Sequence, residues 1–255
     1  MNLSFRQIAD PMHQFEVKKL IDLPIAGLDL SFTNASFYML LGCVLIIAFF
    51  GMAASRGKLV PTRMQSIAEI GYGFVADMVR GAAGEEGLKF FPFVFTLFFF
   101  VFFANMIGMV PYAFTTTSHL IVTAALAILV IAIVIGYGFY KNGLKFLKLF
   151  APAGAPWPIY LLLVPIEVIS FFARPVTLAL RLFANMLAGH IMLKLFAGFA
   201  VTLATLGGAY IVIAPLAFAM GVALNALEFL VAGLQAYVFA ILTCVYLNDA
   251  LHPAH

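Results

Sequence analysis

Between Lys89 and Lys141 the chain runs for 51 residues without one charged side chain, and the 26 residues between Asp29 and Arg56 and the 33 between Lys194 and Glu228 are equally free of charge. A helix crosses a hydrocarbon core in about 20 residues, whereas buried helices of soluble proteins seldom carry more than about 14 apolar residues in succession. These stretches therefore read as membrane spans. With 64% apolar and 10% charged residues and a mean hydropathy of +1.09, the chain has too little polar surface to solvate a globular fold, and lipid is its solvent. The expected fold class is an all-α integral membrane protein, a single membrane domain over 1–255, with no soluble domain of any size.

Charge distribution orders the spans. Arg56, Lys58, Arg63, Arg80 and Lys89 cluster in one connection and Lys141, Lys145 and Lys148 in another, which makes both cytoplasmic by the positive-inside bias. Segments 111–118 and 203–210 carry no Lys or Arg and suit turns on the opposite side. The N-terminal tail 1–33 is then outside and the C-terminus cytoplasmic. The first 35 residues hold seven charges and no apolar h-region, so no cleavable signal peptide is expected there. Spans are expected over 34–54 and, as a hairpin split at Pro111, over 91–140. In 63–80, Met64, Ile67, Ile70, Phe74 and Met78 recur at helical spacing while Glu69, Asp77 and Arg80 share the other side, which describes an interfacial amphipathic helix. After the break at 151–158, with Trp157 suited to the headgroup level, come two 42-residue apolar stretches, 159–200 and 207–248. Each would form a helix about 63 Å long against a core of about 30 Å. Each must fold back on itself or lie tilted by about 60°, and the lack of a polar turn favours tilt. The architecture is thus about five membrane-embedded helices and one surface helix, the last two long and strongly tilted.

The first long stretch contains charges that lipid should exclude. Glu167, Ser170, Arg174, Thr177, Arg181 and Asn185 follow one another at steps of three or four and share one helical face. An arginine at the bilayer centre costs about 2.5–3.5 kcal/mol on insertion scales, so the stripe needs water or a partner. An interhelical salt bridge that only glues the bundle accounts for Arg174 with Glu167, one heptad apart, and accounts poorly for Arg181. In the second stretch Asn225, Glu228 and Gln235 share a face, beside the small residues Gly221, Ala232 and Ala236 that permit close helix approach. His190, half a turn out of phase with Arg181, takes Glu228 as its natural partner, and a His and Glu pair is a plausible proton relay.

Other chemistry finds no footing. Val-Ile-Gly-Tyr-Gly at 134–138 and Gly-Tyr-Gly at 71–73 echo a potassium filter, but neither follows a short pore helix or carries the preceding threonine. Zinc, phosphate-loop and nucleophile-elbow motifs are missing. Cys43 and Cys244 read as small packing residues. No cofactor, metal or nucleic-acid partner is expected, and no enzymatic role.

The run Arg-Pro-Val-Thr-Leu-Ala-Leu-Arg-Leu-Phe-Ala-Asn-Met-Leu-Ala-Gly-His at 174–190 closely resembles the signature helix of ATP synthase subunit a. Glu228 and Gln235, inside Leu-Glu-Phe-Leu-Val-Ala-Gly-Leu-Gln-Ala-Tyr-Val-Phe, resemble the family's last helix, and Glu167 stands 14 residues before Arg181 as the family expects. The motifs cover about 165–248. In the commonest bacterial pattern the position of His190 is glutamate and that of Glu228 histidine; the pair is exchanged here, as in mitochondria and their bacterial relatives.

The resemblance implies a non-catalytic, proton-translocating stator subunit of the F-type ATP synthase, multi-pass in a bacterial inner membrane. Implied partners are the rotating ring of c subunits, the b-type peripheral stalk, lipid and protons. It implies an outer half-channel lined by His190, Glu228, Asn225 and Gln235, an inner one lined by Glu167, Thr177 and Ser170, Asn185 near their divide, and Arg181 as the charge between them. A secondary transporter or stator-like ion channel would also place charges at mid-membrane, but transporter halves usually repeat, and no repeat is found. A pure scaffold would tolerate a small apolar residue at Arg181.

Overall fold

A computed structural model describes residues 16–21, 24–25, 28–29, 31–55, 57, 60–110, 113–150, 157–206 and 210–252. Residues 1–15 of the expected outside tail, and parts of the connections at 56–59, 111–112, 151–156 and 207–209, lie outside the described residues. Four short strands, β1 (Lys19–Ile21), β2 (Pro24–Ile25), β3 (Leu28–Asp29) and β4 (Phe32–Thr33), lead into α1 (Asn34–Ser55). They pair antiparallel as β1 with β4 and β2 with β3. Asn34 closes this segment at the start of α1: its Oδ1 accepts from the backbone of Lys18 and Ala35, and its Nδ2 donates to the Glu16 carbonyl. The rest is helical: α2 (Arg63–Gly87), α3 (Phe91–Gly108), α4 (Leu120–Asn142), α5 (Trp157–Leu206) and α6 (Tyr210–Leu251). Five helical runs, Asn34–Ser55, Arg63–Gly108, Leu120–Leu147, Ile159–Leu206 and Val212–Leu251, are long and apolar enough to cross a membrane. The protein is an all-α integral membrane protein.

Two compact units share these helices. One comprises the described part of Met1–Cys43 with Phe102–His119 and Leu182–Gln235, and the other Val44–Val101, Leu120–Arg181 and the described part of Ala236–His255. In the second unit α2 reaches Gly87, beyond the expected end at 80, because Val79, Ala83 and Gly87 continue its buried small-residue face. It bends at Gly84, whose φ of 68° with ψ of −173° is open essentially to glycine alone. The turn brings α2 back along α3, with Tyr72 against Phe91 at 4.6 Å and Phe74 against Phe98 at 5.7 Å between ring centres. Met64, Ile67, Ile70 and Phe74 remain exposed, an apolar face open to lipid, while Met78 is buried.

The long α5 spans 50 residues without interruption, so it does not fold back. Pro158 sits in its first turn, where a missing N–H costs nothing. Pro165 and Pro175 lie inside it, and helices in lipid tolerate such prolines. At 1.5 Å per residue α5 is about 75 Å long, more than twice a hydrocarbon core of about 30 Å. In α6, Ala232, Ala236, Ala240 and Cys244, at steps of four, are fully buried, the small-residue spacing that lets backbones approach closely. Its last carbonyls are capped from α4: Asn142 Nδ2 donates to Ala250 at 2.7 Å and Lys141 Nζ to Leu251 at 3.4 Å, while Lys141 also pairs with Glu86 at 2.6 Å.

The filter-like Val-Ile-Gly-Tyr-Gly is a middle stretch of α4. Its Gly138 serves packing. Gly143, at φ 53°, ends α4 and starts a 3-10 run, Gly143–Phe150, that returns the buried Phe146 ring onto Gly138. A Cβ on Gly138 would overlap that ring. Gly138→Ala is therefore expected to destabilise the detergent-solubilised protein by about 1–3 kcal/mol, measured as a lowered thermal unfolding midpoint, and the same exchange at Gly136, where a Cβ meets open space, is expected to be nearly neutral.

Candidate functional site

The polar face of α5 keeps its register in three dimensions. Phe171, Leu178, Leu182 and Met186 bury one stripe of the helix, and the six polar residues lie about a quarter turn round from it. None of the six is buried; Ser170, Thr177 and Arg181 are exposed and Glu167, Arg174 and Asn185 half-buried. The division into units falls between Arg181 and Leu182, so each cluster is described within its own unit.

In the unit containing Arg181, Arg174 organises a charged cluster. Its Nη1 donates to Asp249 Oδ2 at 2.6 Å, its Nη2 lies 4.0 Å from Glu167 Oε1, and its guanidinium sits 5.3 Å above the Tyr246 ring and 5.8 Å above the Phe171 ring. A short charge-assisted bond combined with aromatic stacking is what guanidinium geometry favours. Glu167, one heptad away, is the more distant carboxylate; Asp249, the nearer one, belongs to α6 and was not singled out in the sequence. A single aspartate in the tail of a hydrophobic helix gives little hint that it will meet an arginine 75 positions earlier. Thr177 satisfies its own hydroxyl by donating to the Arg174 carbonyl at 2.9 Å. Arg181 forms no hydrogen bond or ion pair with a described residue. It is the opposite of Arg174: same chemistry, same face, no counterion among the described residues.

In the other unit α5 and α6 exchange neutral and ionisable contacts. Asn185 Nδ2 donates to Gln235 Oε1 at 2.9 Å. His190 Nε2 lies 3.8 Å from Glu228 Oε1, with the side chains 11% and 5% exposed. Glu228 also crowds Gly189: a Cβ there would fall 2.5 Å from Oε1, so glycine is what admits the carboxylate beside α5. Neither Glu228 oxygen accepts a hydrogen bond from a described residue. Asn225 is exposed and joins none of these contacts, although it shares a helical face with Glu228 in the sequence.

The same unit holds residues that sequence reasoning passed over. Asn105 of α3 is fully buried, donates from Nδ2 to the Ala232 carbonyl at 3.1 Å and accepts from Thr117 Oγ1 at 2.8 Å. Thr115 Oγ1 lies 2.9 Å from His190 Nε2. One signal existed: Asn105 is the only amide side chain in residues 90–110, and a lone amide in an apolar helix must be satisfied. The threonines at 115–117 read as loop because hydroxyl runs usually do.

Chemically, the arrangement offers two different things: a polar stripe that includes a guanidinium unpaired among the described residues, and a half-buried imidazole beside a carboxyl group that accepts no hydrogen bond from a described residue. Residues 36–248 match the family described as ATP synthase A chain. The ATP synthase subunit a of Hyphomonas neptunium is 75% identical over 243 residues, 95% of this chain and 96% of its own length. Those of Maricaulis maris, 60% identical over 254 residues, and Mesorhizobium japonicum, 59% over 246, each cover 96% of this chain and 98% of their own.

Because Arg174 and Asp249 form a direct half-buried pair, a double-mutant cycle with Arg174→Ala and Asp249→Ala is expected to give a coupling of about 0.5–3 kcal/mol, read from unfolding midpoints in detergent; the same cycle between Asp249 and Arg181 should give none.

Proposed function

The chain belongs to the family of ATP synthase subunit a, a multi-pass membrane subunit of the Fo sector of F-type ATP synthase, and from that premise we propose that Arg181 is the fixed charge across which protons are handed to and from the rotor of the complex. The observation that carries this reading is the one guanidinium on the α5 stripe with neither ion pair nor hydrogen bond to a described residue. An arginine in lipid without a counterion is costly, so its counterion belongs to another chain. The fitting partner is a ring of c subunits with mid-membrane carboxyl groups, neutral against lipid and ionised only opposite Arg181.

A guanidinium stays protonated at any working pH, attracts a carboxylate and favours its ionisation. Since it cannot pass a proton on, it also keeps an outer aqueous path from short-circuiting to an inner one. In this reading His190, Glu228, Asn225 and Gln235 serve the outer half-channel, with Asn185 near the divide, and Glu167, Ser170 and Thr177 serve the inner one beside Arg174. Glu228, whose two oxygens accept no hydrogen bond from a described residue, can take a proton without breaking such a bond, and His190 beside it can share that proton. Rotation of the ring becomes the only complete route. Each proton moving through about 100 mV supplies about 2.3 kcal/mol, so several pass for each ATP made elsewhere in the complex. The chain itself performs no chemistry on ATP in this scheme, a b-type stalk holds it against the turning ring, and the Lys and Arg clusters at 56–89 and 141–148 support an N-terminus outside in a bacterial inner membrane.

Two outcomes test the scheme. Arg181→Ala is expected to abolish proton-driven ATP synthesis in vesicles containing the reconstituted complex; synthesis at the native rate would overturn the assignment. Changing His190 to Glu or Glu228 to His alone is expected to slow proton flow, and the double exchange to recover part of it. Independent, additive losses would show that the two residues do not act as a pair.

A further inference from the structure

The polar network around His190 contains a residue that the proposed path leaves unused. Thr115, Thr116, Thr117 and Ser118 are buried, at 2%, 2%, 0% and 3% exposure, and buried hydroxyls need partners. Ser118 Oγ donates to the Thr115 carbonyl at 2.6 Å and Thr117 Oγ1 donates to Asn105 Oδ1, so both close on neighbouring structure. Thr115 faces the ionisable pair instead. Its Oγ1 lies 2.9 Å from His190 Nε2 and 3.4 Å from the Gly108 carbonyl oxygen. Gly108 makes the room, since a Cβ there would come 2.7 Å from Thr115 Cγ2.

A hydroxyl has one proton to give and lone pairs to accept with. When His190 Nε2 carries a hydrogen, Thr115 Oγ1 accepts it and turns its own proton to the Gly108 carbonyl. When Nε2 has given its hydrogen up, the hydroxyl turns and donates to the bare nitrogen. The imidazole therefore keeps a partner in both states, and Thr115 neither gains nor loses a proton. The distance from Nε2 to Glu228 Oε1, 3.8 Å, is too long for a direct hydrogen bond, so Glu228 does not fix the ring.

We propose that Thr115 is a positioning residue for proton transfer at His190: its hydroxyl partners Nε2 before and after the proton leaves and keeps that nitrogen beside Glu228. The inference rests on the reading of His190 and Glu228 as proton carriers of the outer half-channel.

The test measures passive proton flow through vesicles holding the whole complex after the soluble sector is stripped. Thr115→Val, which keeps the shape and removes the hydroxyl, is expected to slow flow by about tenfold, the equivalent of one buried hydrogen bond left unmade, and Thr115→Ser, which keeps the hydroxyl, to stay within about twofold of the native rate. In a His190→Gln background Thr115→Val is expected to add no further loss. Native flow in Thr115→Val alongside slow flow in His190→Gln would overturn the role of Thr115 and leave the half-channel reading standing. Native flow in His190→Gln would overturn that reading and the inference with it. Equal losses for Val and Ser, or losses additive with His190→Gln, would show that Thr115 acts through packing alone and overturn the proposal. Should Thr115→Val fail to assemble, Thr115→Ala against Thr115→Ser decides on the same terms: a slow Ala variant with a near-native Ser variant supports the hydroxyl, and equal rates overturn it.

Discussion

Hydrocarbon offers a charged group no solvation, and each ionised side chain on a membrane helix must be neutralised, hydrated or matched by a partner. Nearly every polar feature of this chain is one of those solutions. Arg174 is matched three times over, by Asp249, by Glu167 at longer range and by the face of Tyr246. Lys141 and Asn142 spend their polar heads on Glu86 and on the last carbonyls of α6. Asn105 is satisfied on both sides of its amide. Against that background Arg181 stands apart, with no hydrogen bond or ion pair to a described residue, and the proposal that its counterion comes from another subunit starts from that difference.

Close packing makes these solutions geometrically possible. The fully buried Ala232, Ala236, Ala240 and Cys244 present almost no side chain on one line of α6, and the backbone carbonyl of Ala232 is near enough to another helix to accept from Asn105. Gly189 does the same on α5, where its missing Cβ is the space that Glu228 occupies. Small residues in lipid-embedded helices act less through their own contacts than through the polar groups they admit. A methyl at Gly189 would fall on the Glu228 carboxyl group, and that side chain would have to move from its place beside His190.

Much of this was legible in the sequence, and for a physical reason. The spans, the amphipathic α2 and the two overlong helices follow from uncharged length and period, which are properties of a chain in lipid whatever its tertiary contacts. The stripe from Glu167 to Asn185 and the pairing of His190 with Glu228 follow from helical phase and from charge being too costly to leave alone. Asp249, Thr115 and Asn105 were not found because their significance lies in contacts 75 or more positions away, and phase along one helix says nothing about which neighbour it meets. Asn225 shows the converse: it has the right phase with Glu228 but lies one turn beyond the packed part of α6, where the face opens.

The two units differ in what their charges can do. Around Arg174 opposite charges are drawn together, a guanidinium with two carboxylates within 4.0 Å. Around His190 stand the Glu228 carboxyl group, which accepts no hydrogen bond from a described residue, two amides and a hydroxyl, with Lys194 near enough to act on the imidazole electrostatically. A group that must load a proton from water works best where the loaded, uncharged form is at home, and a group that must let one go works best where nearby fixed charge keeps acceptors ionised. The proposed path enters through His190 and Glu228 and leaves past Glu167. Arg181 then needs no chemistry of its own. In the proposed scheme its work is to hold one positive charge on a face where no described residue pairs with it.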